Sequence, residues 1–578
     1  AAQEALNAQR GFEEALQERG AALLADLRSD PEGIGVVLMA RSYNAQDAGA
    51  NLGIAAELQR LGVTPIPLDY LPLDQVDVGE ISDRPYWNYE RKLLAAARLV
   101  ADDVRLFGLF LTNFGCGPNA FIENIVRDMM GDKPLGEIEV DEHAAEAGII
   151  TRLEALVDTI RSYRRVNGVP RVDPERYVRR VPSGVRRSDC LLLPRMADHA
   201  DVMAAAARSF GVDARVLPDS DARSLTLSRD VTSGKECLPY RDSLGVLLRA
   251  AEDGDIPQGA RALMAGSYGP CRLGKYAQEQ QKVLRDLGID LQIMTTVSNN
   301  AYADLGLGSS FELYAWQAIV AVDYLQRLLW LTRPYERSRG GADRAYRHYL
   351  NELAEAADFR RPLQPIMLRA TDTFRALRDP ALPQRPLVGI NGEIYLRANP
   401  FANHDVVRLC EAHGLEVEVA PLGEWFKYTA FRRMEDAWGN RDIRGFAAAL
   451  LRRVVMARVE ARAAASVRLA IPHREPSTEA LLRASGCYLP SRNGSEAVLS
   501  LGSGLLQMRD ARYAGVISVM PHGCMPGGIV AALSEQISRE HGHKPWISLT
   551  FDGFADQVNP ERVADFAEQL CHQARREA

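Results

Sequence analysis

The sequence lacks any long apolar run. No stretch of about 18 consecutive apolar residues occurs in the 578 residues, so no transmembrane helix is predicted. Basic residues are not in excess either, because 69 Lys and Arg stand against 76 Asp and Glu and leave a net charge of −7. A general nucleic-acid binder carries a basic surface. We therefore expect neither a membrane span nor a nucleic-acid partner.

Cysteine is scarce as well. Eight cysteines in a chain of this length are too few for a disulfide scaffold, and no CxxC pair occurs. The chain opens with polar, helix-forming residues 1–28, which is not the pattern of a signal peptide, and it opens without Met. We expect a cytoplasmic protein in reducing surroundings, and a chain that has been processed or belongs to a longer one.

Short apolar runs alternate with helical stretches along most of the chain. The run GVVLMA at residues 35–40 is bounded by turn residues and predicts a buried strand. A helical stretch over residues 51–61 ends at Gly62, and a second strand follows at residues 63–68. A strand, a helix and a strand of these lengths form a βαβ unit, which implies a parallel sheet covered by helices. The pattern recurs near residues 105–111, 190–193, 262–265 and 387–390.

An internal repeat is the most informative feature. Two triplets share a spacing of eight and then eleven residues: Tyr43, Asn51 and Gly62, and Tyr395, Asn403 and Gly414. Further on, NFGCGPNAFI at residues 113–122 matches PHGCMPGGIV at residues 521–530. Lys133 and Lys544 follow, and an Asp stands eight residues after each, at Asp141 and Asp552. The sequence therefore predicts two related lobes.

The expected fold class is α/β, with three Rossmann-like lobes that contain parallel sheets and two of which form the repeat. The expected domains are an N-terminal helix over residues 1–30, the first repeat copy over residues 31–165, a middle α/β lobe over residues 188–300, a helical connection over residues 301–385 and the second repeat copy over residues 386–578.

Four of the cysteines share one local setting. Cys116, Cys237, Cys271 and Cys524 lie beside or near Gly or Pro, in predicted turns between a strand and a helix. Such turns fall at the carboxyl ends of parallel strands, where open α/β sheets bind ligands. Four thiolates suit zinc or an iron–sulfur cluster, but structural zinc normally uses close CxxC pairs. The gaps here are 121, 34 and 253 residues, which favours a cluster assembled across lobes.

Glycines and two basic residues complete the predicted site. Four glycines would let the backbone approach a cluster: Gly115, Gly117, Gly269 and Gly523. Arg272 and Lys275 are interpreted either as charges that balance the cluster or meet an anionic partner, or as solvated surface charges. The run GPCRLGK that contains them also resembles a phosphate-binding loop, but Tyr276 stands where such a loop needs Ser or Thr. We therefore do not predict a nucleotide there.

The other cysteines indicate no site. Cys190, Cys410 and Cys571 start a predicted strand or lie within predicted helices, and we expect small buried hydrophobic residues there. Cys487 lies in a polar stretch and supports no assignment.

Asp141 and Asp552 end predicted strands. Their carboxyl groups are suited to acid–base chemistry or to capping the helix that follows. We favour capping for Asp552 and leave both roles open for Asp141 and its neighbours Glu142 and His143.

A family resemblance rests on six segments: RSYNAQDAGANLGIAAELQRLGV, LTNFGCGPNAFI, IEVDEHAAEAGIITRLEALVD, GKECLPYRDSLG, GPCRLGKY and PHGCMPGGIV. They resemble the large proteins related to 2-hydroxyacyl-CoA dehydratases and to double-cubane cluster proteins, over about residues 30–300 and 386–570. In many such proteins this part follows ATPase domains of the activator type. No ATPase motif is recognisable in this chain.

The resemblance implies low-potential electron chemistry. An ATP-hydrolysing activator passes one electron at a time to a cluster in the dehydratase-like component. In the dehydratases, an iron with a non-cysteine site then meets the thioester carbonyl. Double-cubane proteins use six cysteines, and only four stand in suitable turns here. The simplest count is one [4Fe-4S] cluster on Cys116, Cys237, Cys271 and Cys524, at the meeting point of the three lobes; three ligands with an open iron is the rival count.

We therefore expect a cytoplasmic iron–sulfur redox component that takes low-potential electrons from an ATP-dependent activator, fused or separate, to reduce a small molecule or an acyl-CoA. It would serve as part of an ATP-dependent reductase or dehydratase. Two alternatives stay open: a 2-hydroxyacyl-CoA dehydratase with an open iron, and a non-catalytic structural or zinc-binding module. Homodimerisation is also left open.

Overall fold

The structure is a computed structural model that describes residues 2–113, 117–141, 143, 145–166, 177–297, 305–554 and 558–577. The chain divides into two compact units, residues 1–180 and 181–578. The predicted fold class is confirmed, since three four-stranded parallel sheets are present with helices around them. The residue boundaries of the individual lobes remain a prediction. In the described part of the chain, no helix combines the length and apolarity needed to cross a membrane.

The first unit contains one sheet with the strand order β2-β1-β3-β4. Its strands are β1 (Gly35–Met39), β2 (Thr64–Pro67), β3 (Leu106–Asn113) and β4 (Leu135–Val140). Its helices are α1 (Ala2–Ser29), α2 (Ser42–Gln46), α3 (Ala48–Asn51), α4 (Ile54–Arg60), α5 (Asn88–Asp102), α6 (Asn119–Met130) and α7 (Glu146–Val166). Every residue of β1 is buried, because helices cover both faces of a parallel sheet and its central strands become continuous apolar runs.

The second unit begins with the middle sheet, in the order β6-β5-β7-β8. Its strands are β5 (Cys190–Leu193), β6 (Asp213–Val216), β7 (Arg261–Gly266) and β8 (Gln292–Val297). Its helices are α8 (His199–Ser209), α9 (Ala222–Arg229), α10 (Leu238–Glu252) and α11 (Leu273–Asp286). Two helices, α9 and α10, therefore stand between β6 and β7.

Three helices follow the middle sheet: α12 (Ser309–Thr332), α13 (Gly341–Asp358) and α14 (Gln364–Leu377). They pack around a common apolar core that includes Leu325, Leu353 and Phe374, all fully buried. An all-helical segment thus separates the two sheets of this unit along the chain.

The last sheet has the order β10-β9-β11-β12. Its strands are β9 (Leu387–Gly392), β10 (Glu416–Val419), β11 (Tyr513–Pro521) and β12 (Trp546–Phe551). Its helices are α15 (Ile394–Ala398), α16 (Val406–Ala412), α17 (Gly423–Gly439), α18 (Ile443–Val467), α19 (Thr478–Ser485), α20 (Ser495–Arg509), α21 (Met525–Glu540) and α22 (Val558–Glu577).

Side-chain hydrogen bonds support the internal repeat. Asn51 donates from Nδ2 to the carbonyl of Ala45 at 2.8 Å, and Asn403 donates from Nδ2 to the carbonyl of Leu396 at 2.6 Å. The oxygen of each amide accepts a backbone N–H further along the chain. Both asparagines therefore tie a short helix after the first strand of the lobe to the next helix, which explains why the same residue recurs.

The two lysines of the repeat also play one role. The ammonium group of Lys133 donates to the carbonyls of Val100 and Asp103, at the end of α5. Lys544 donates to the carbonyls of Gln507 and Asp510, at the end of α20, at 3.4 and 2.9 Å. Each lysine satisfies carbonyls that a helix end leaves without partners.

The two aspartates close turns. Asp141 accepts the backbone N–H of His143 at 2.9 Å, and Asp552 accepts that of Phe554 at 2.8 Å. The side chain of Asp552 thus closes the turn that leaves β12. Glu142 lies outside the described residues.

Candidate functional site

Cys271 lies in the turn between β7 and α11, as predicted. Gly269 in this turn has a φ of 119°, which disfavours any residue with a Cβ, and an added Cβ would point into open space. The Cys271 thiol accepts the backbone N–H of Leu273 at the start of the helix. Burial raises the pKa of this thiol to about 12. The turn therefore presents a sulfur to a helix N-terminus, a position that favours negative charge.

Cys524 has the same setting in the last sheet. It follows the end of β11 by three residues and is the N-cap of α21, where Gly527 donates its backbone N–H to the sulfur at 3.4 Å. Gly523 has a φ of 68°, which the tight turn requires. Burial, and next the neighbouring Cys271 thiol, raise the pKa of Cys524 well above its usual range. Cys524 and Cys271 are thus close enough to interact electrostatically.

The setting of Cys237 differs in one detail from the sequence prediction. It is the N-cap of α10 and is buried, but the preceding element is the helix α9 and not a strand. The prediction was wrong because the middle lobe has an additional helix between β6 and β7. The sulfur of Cys237 forms a close hydrogen bond with the hydroxyl of Tyr276, which belongs to α11. This contact brings Cys237 beside the helix that begins just after Cys271.

Arg272 connects the three cysteine turns. Its guanidinium donates to the carbonyl of Lys235 at 2.9 Å and to that of Gly523 at 3.3 Å. Burial alone would lower the pKa of Arg272, but the Coulombic attraction of the three thiols and of Tyr276 outweighs it and raises the pKa. A buried cation therefore lies within electrostatic reach of Cys237, Cys271 and Cys524.

The interpretation of Arg272 and Lys275 as solvated surface charges is wrong. Their exposed fractions are only 6% and 1%. Lys275 donates to Gln278 on its own helix, at 3.3 Å. The sequence pattern of α11 did not reveal that these two charged residues are buried, because their burial depends on which other part of the chain covers the helix.

Acidic residues beside the thiols were missed by sequence reasoning. Glu393 caps α15 by accepting the backbone N–H of Leu396 at 2.9 Å, and Glu496 accepts that of Ile394 at 2.9 Å. Burial raises the pKa of both carboxyl groups, for Glu496 well above its usual range. Both carboxyl groups in turn raise the pKa of Cys271. The repeat offered one sequence signal for Glu393, because the equivalent position of the first copy is Arg41 and the acidic residue is therefore specific to the second copy.

Arg397 is the cation of this acidic group. It lies 3.4 Å from Glu424 and 3.5 Å from Glu496, and its side chain is almost fully buried. Oxygen Oε1 of Glu496 is the atom that faces Arg397, and within the described structure it has no hydrogen bond besides that ion pair. The group therefore holds more carboxyl groups than cations next to the thiols.

The fourth predicted ligand cannot be placed. Cys116 and the predicted Gly115 lie outside the described residues, while Gly117 is buried in the first unit. Within the described residues, no group of three or more His, Cys, Asp or Glu side chains is arranged to hold a metal ion. Cys237, Cys271 and Cys524 are thus all within electrostatic reach of Arg272, without a completed ligand geometry.

The other cysteines behave as ordinary side chains. Cys410 is fully buried in the apolar core of the last lobe, where burial raises its pKa to about 12. Cys190 starts β5 and is half-buried, as is Cys571 in α22, while Cys487 is exposed. Cys410 is therefore a buried thiol with apolar neighbours, outside the group formed by Cys237, Cys271 and Cys524.

Comparison with family models gives a match at the start of the chain. Residues 1–71 match the family model described as the CoA enzyme activase uncharacterised domain. This segment includes α1 and the strands β1 and β2, which form half of the first sheet. No curated protein matches the chain. Residues 1–71 are therefore similar to a domain whose description refers to CoA enzyme activases.

Proposed function

We propose that this protein is the iron–sulfur redox component of an enzyme system of the acyl-CoA dehydratase or activase type. It would take low-potential electrons from an ATP-dependent activator and pass them to a small molecule or an acyl-CoA. The observation that carries the proposal is the group of three thiols, Cys237, Cys271 and Cys524, each at or just before the start of a helix and all coupled to buried Arg272. The match of residues 1–71 supports the activator-related setting.

The donor chemistry of this group fits an iron–sulfur cluster. Clusters are held by cysteine thiolates, and hydrogen bonds to sulfur and local charge set their potential. Here backbone N–H groups of Leu273 and Gly527 already bond to thiol sulfur, and Arg272 supplies a positive charge. When bound, the cluster would supply one-electron transfer, and these residues would hold it and offset its negative charge. Cys116 stays the predicted fourth ligand on the strength of the repeat.

Two alternatives make different predictions. A dehydratase with an open iron would use three thiolates and leave one coordination position for substrate, so the Cys116→Ser variant would keep the cluster of the wild type. A structural zinc site would contain zinc and no sulfide. The dehydratase with an open iron is the second candidate, because the three described thiols match a cluster that has three cysteine ligands.

Metal analysis of anaerobically purified protein tests the proposal. We expect about four irons and four sulfides per chain, as a [4Fe-4S] cluster requires. Replacing Cys237, Cys271 or Cys524 with Ser should remove most of the iron or convert the spectrum to that of a three-iron cluster. Cys410→Ser is the matched control, since it alters a buried thiol and should leave iron unchanged. Full iron content in Cys271→Ser, or zinc without sulfide in the wild type, would exclude the proposal.

Electron transfer needs its own test. Four thiolates add negative charge, and burial strengthens the cost of adding an electron. We therefore expect a cluster that mild reductants leave oxidised and that an ATP-hydrolysing activator reduces. Complete reduction by a mild reductant would argue against an ATP-driven role even if iron is present.

A further inference from the structure

The second repeat copy contains three helices that the first copy lacks at the equivalent place. The first copy passes from β2 to α5 through turns, whereas the second passes from β10 to α20 through α17, α18 and α19. The two sheets nevertheless have the same strand order. The long helix α18 (Ile443–Val467) is therefore not needed to complete the sheet, and its surface is free to serve another purpose.

One side of α18 is fixed to the rest of the unit. Trp316 donates from its indole to the carbonyl of Met456 at 3.0 Å, and the hydroxyl of Thr371 donates to the carbonyl of Ser466 at 3.1 Å. The side chain of Glu460 pairs with Lys427 on α17 at 2.7 Å. The helix is thus held rigidly along its inner side.

The outer side of α18 carries an exposed apolar stripe. It consists of Ile443, Ala447, Leu450, Val454, Ala457 and Ala461, all exposed. The steps between them are four, three, four, three and four residues, which is the 3.5-residue repeat of a coiled-coil seam. Ile443 is 80% exposed, Leu450 43% and Val454 39%. A continuous stripe of about 27 Å, from the helical rise, differs from scattered surface apolar residues, which are common.

Three arginines follow one flank of this stripe. Arg444, Arg458 and Arg462 are exposed, and within the described residues none of their guanidinium groups has a hydrogen bond or an ion pair. In heptad terms Arg444, Leu451 and Arg458 hold the same flanking position, where charged residues decide which partner helix is accepted. The flank is therefore basic at both ends, with the exposed Leu451 between the arginines widening the apolar stripe.

We propose that the stripe of α18 binds an amphipathic helix of a partner protein that has its own apolar seam and an acidic flank. A second copy of this chain fits poorly. In an antiparallel pair the flank would face itself and place arginine against arginine, and in a parallel pair Arg458 would face Arg453 of the other copy. A membrane surface fits poorly too, because the stripe is narrow and three of its six residues are alanines, which offer little apolar area for insertion. The proposal does not depend on a cluster.

Designed peptides test it on the full chain. The probe is a helical peptide of about four heptads with Leu and Ile in its seam and Glu on both flanks, and the control peptide has Lys on both flanks. Fluorescence anisotropy should detect binding of the acidic peptide, weakened by salt, and little binding of the basic one. Leu450→Glu and Arg458→Glu should each weaken binding by at least about tenfold, which corresponds to 1.4 kcal/mol.

Leu469→Glu is the matched control, because Leu469 is 72% exposed but lies beyond the stripe. It should leave binding unchanged, and circular dichroism should show the same helix content in all variants. Equal binding of both peptides, or none of the acidic one, would overturn the proposal. So would a dimer of the chain that Leu450→Glu dissociates, or binding to anionic phosphatidylserine vesicles in place of the acidic peptide.

Discussion

Arg272 offers the sharpest test of how the cysteine turns are held together. Its side chain is only 6% exposed, and its two hydrogen bonds reach the carbonyl two residues before Cys237 and the carbonyl just before Cys524. A hydrogen bond from a charged donor contributes about 1.5–3 kcal/mol, and the longer bond belongs at the low end. Removing the charge also removes the free-energy cost of burying it, which offsets part of the loss of the two hydrogen bonds. We therefore expect Arg272→Gln to lower the free energy of unfolding by about 2–3 kcal/mol.

The consequence for the site should be larger than the consequence for the fold. Without the guanidinium, the turns of Cys237 and Cys524 lose their shared anchor, and the thiols lose the positive charge that stabilises their anionic forms. Iron content of anaerobically prepared Arg272→Gln should therefore fall well below that of the wild type. Arg272→Lys keeps the charge but not the forked geometry, so it should fall between the two.

Urea unfolding of the metal-free, reduced protein and iron analysis are the two assays. Arg249→Gln is the matched control, since Arg249 is also buried and bonds Asp221 at 2.7 Å and the carbonyl of Asp219 at 3.0 Å, away from the thiols. It should lose comparable stability and keep its iron. If Arg272→Gln unfolds at the same urea concentration as the wild type, or if both variants lose iron equally, the reasoning about Arg272 is refuted.

Three further predictions concern the repeat and its sheets. Burial lowers the pKa of Lys133 from 10.5 to about 8, so below pH 8 the charged Lys133 destabilises the folded state, and this cost disappears as the pH rises toward 10.5. Relative to Lys133→Met, the free energy of unfolding of the wild type should therefore rise by up to about 3 kcal/mol between pH 8 and 10.5, and a constant difference in urea unfolding would contradict this. Asn403→Ala removes two buried hydrogen bonds and should lower the free energy of unfolding by about 1–3 kcal/mol in thermal or urea unfolding, while an unchanged midpoint would show that the repeated spacing has another cause. In Gly392→Ala the added Cβ would lie 2.0 Å from the carbonyl oxygen of Val519, so we expect a poorly folded last lobe by hydrogen exchange, and wild-type protection of β9 would disprove the clash.

Local patterns were sufficient for the architecture. Strand β1 is a continuous apolar run because both faces of a parallel sheet are covered, and this pattern is visible without any partner. The repeat was visible because Asn51 and Asn403, and likewise Lys133 and Lys544, bond backbone groups close in sequence or at the neighbouring helix end. Such roles constrain residue type at fixed spacing.

What the tertiary structure decided is which charged groups are buried and which distant turns meet. Arg272 and Lys275 have the sequence pattern of surface residues, yet contacts with the turn of Gly523, about 250 residues away, bury the first. The carboxyl groups of Glu393 and Glu496 meet Cys271 only because two lobes pack together. Spacing along a chain fixes local hydrogen bonds, but the electrostatics of a site depend on the solvent that neighbouring lobes remove, and no single segment contains that information.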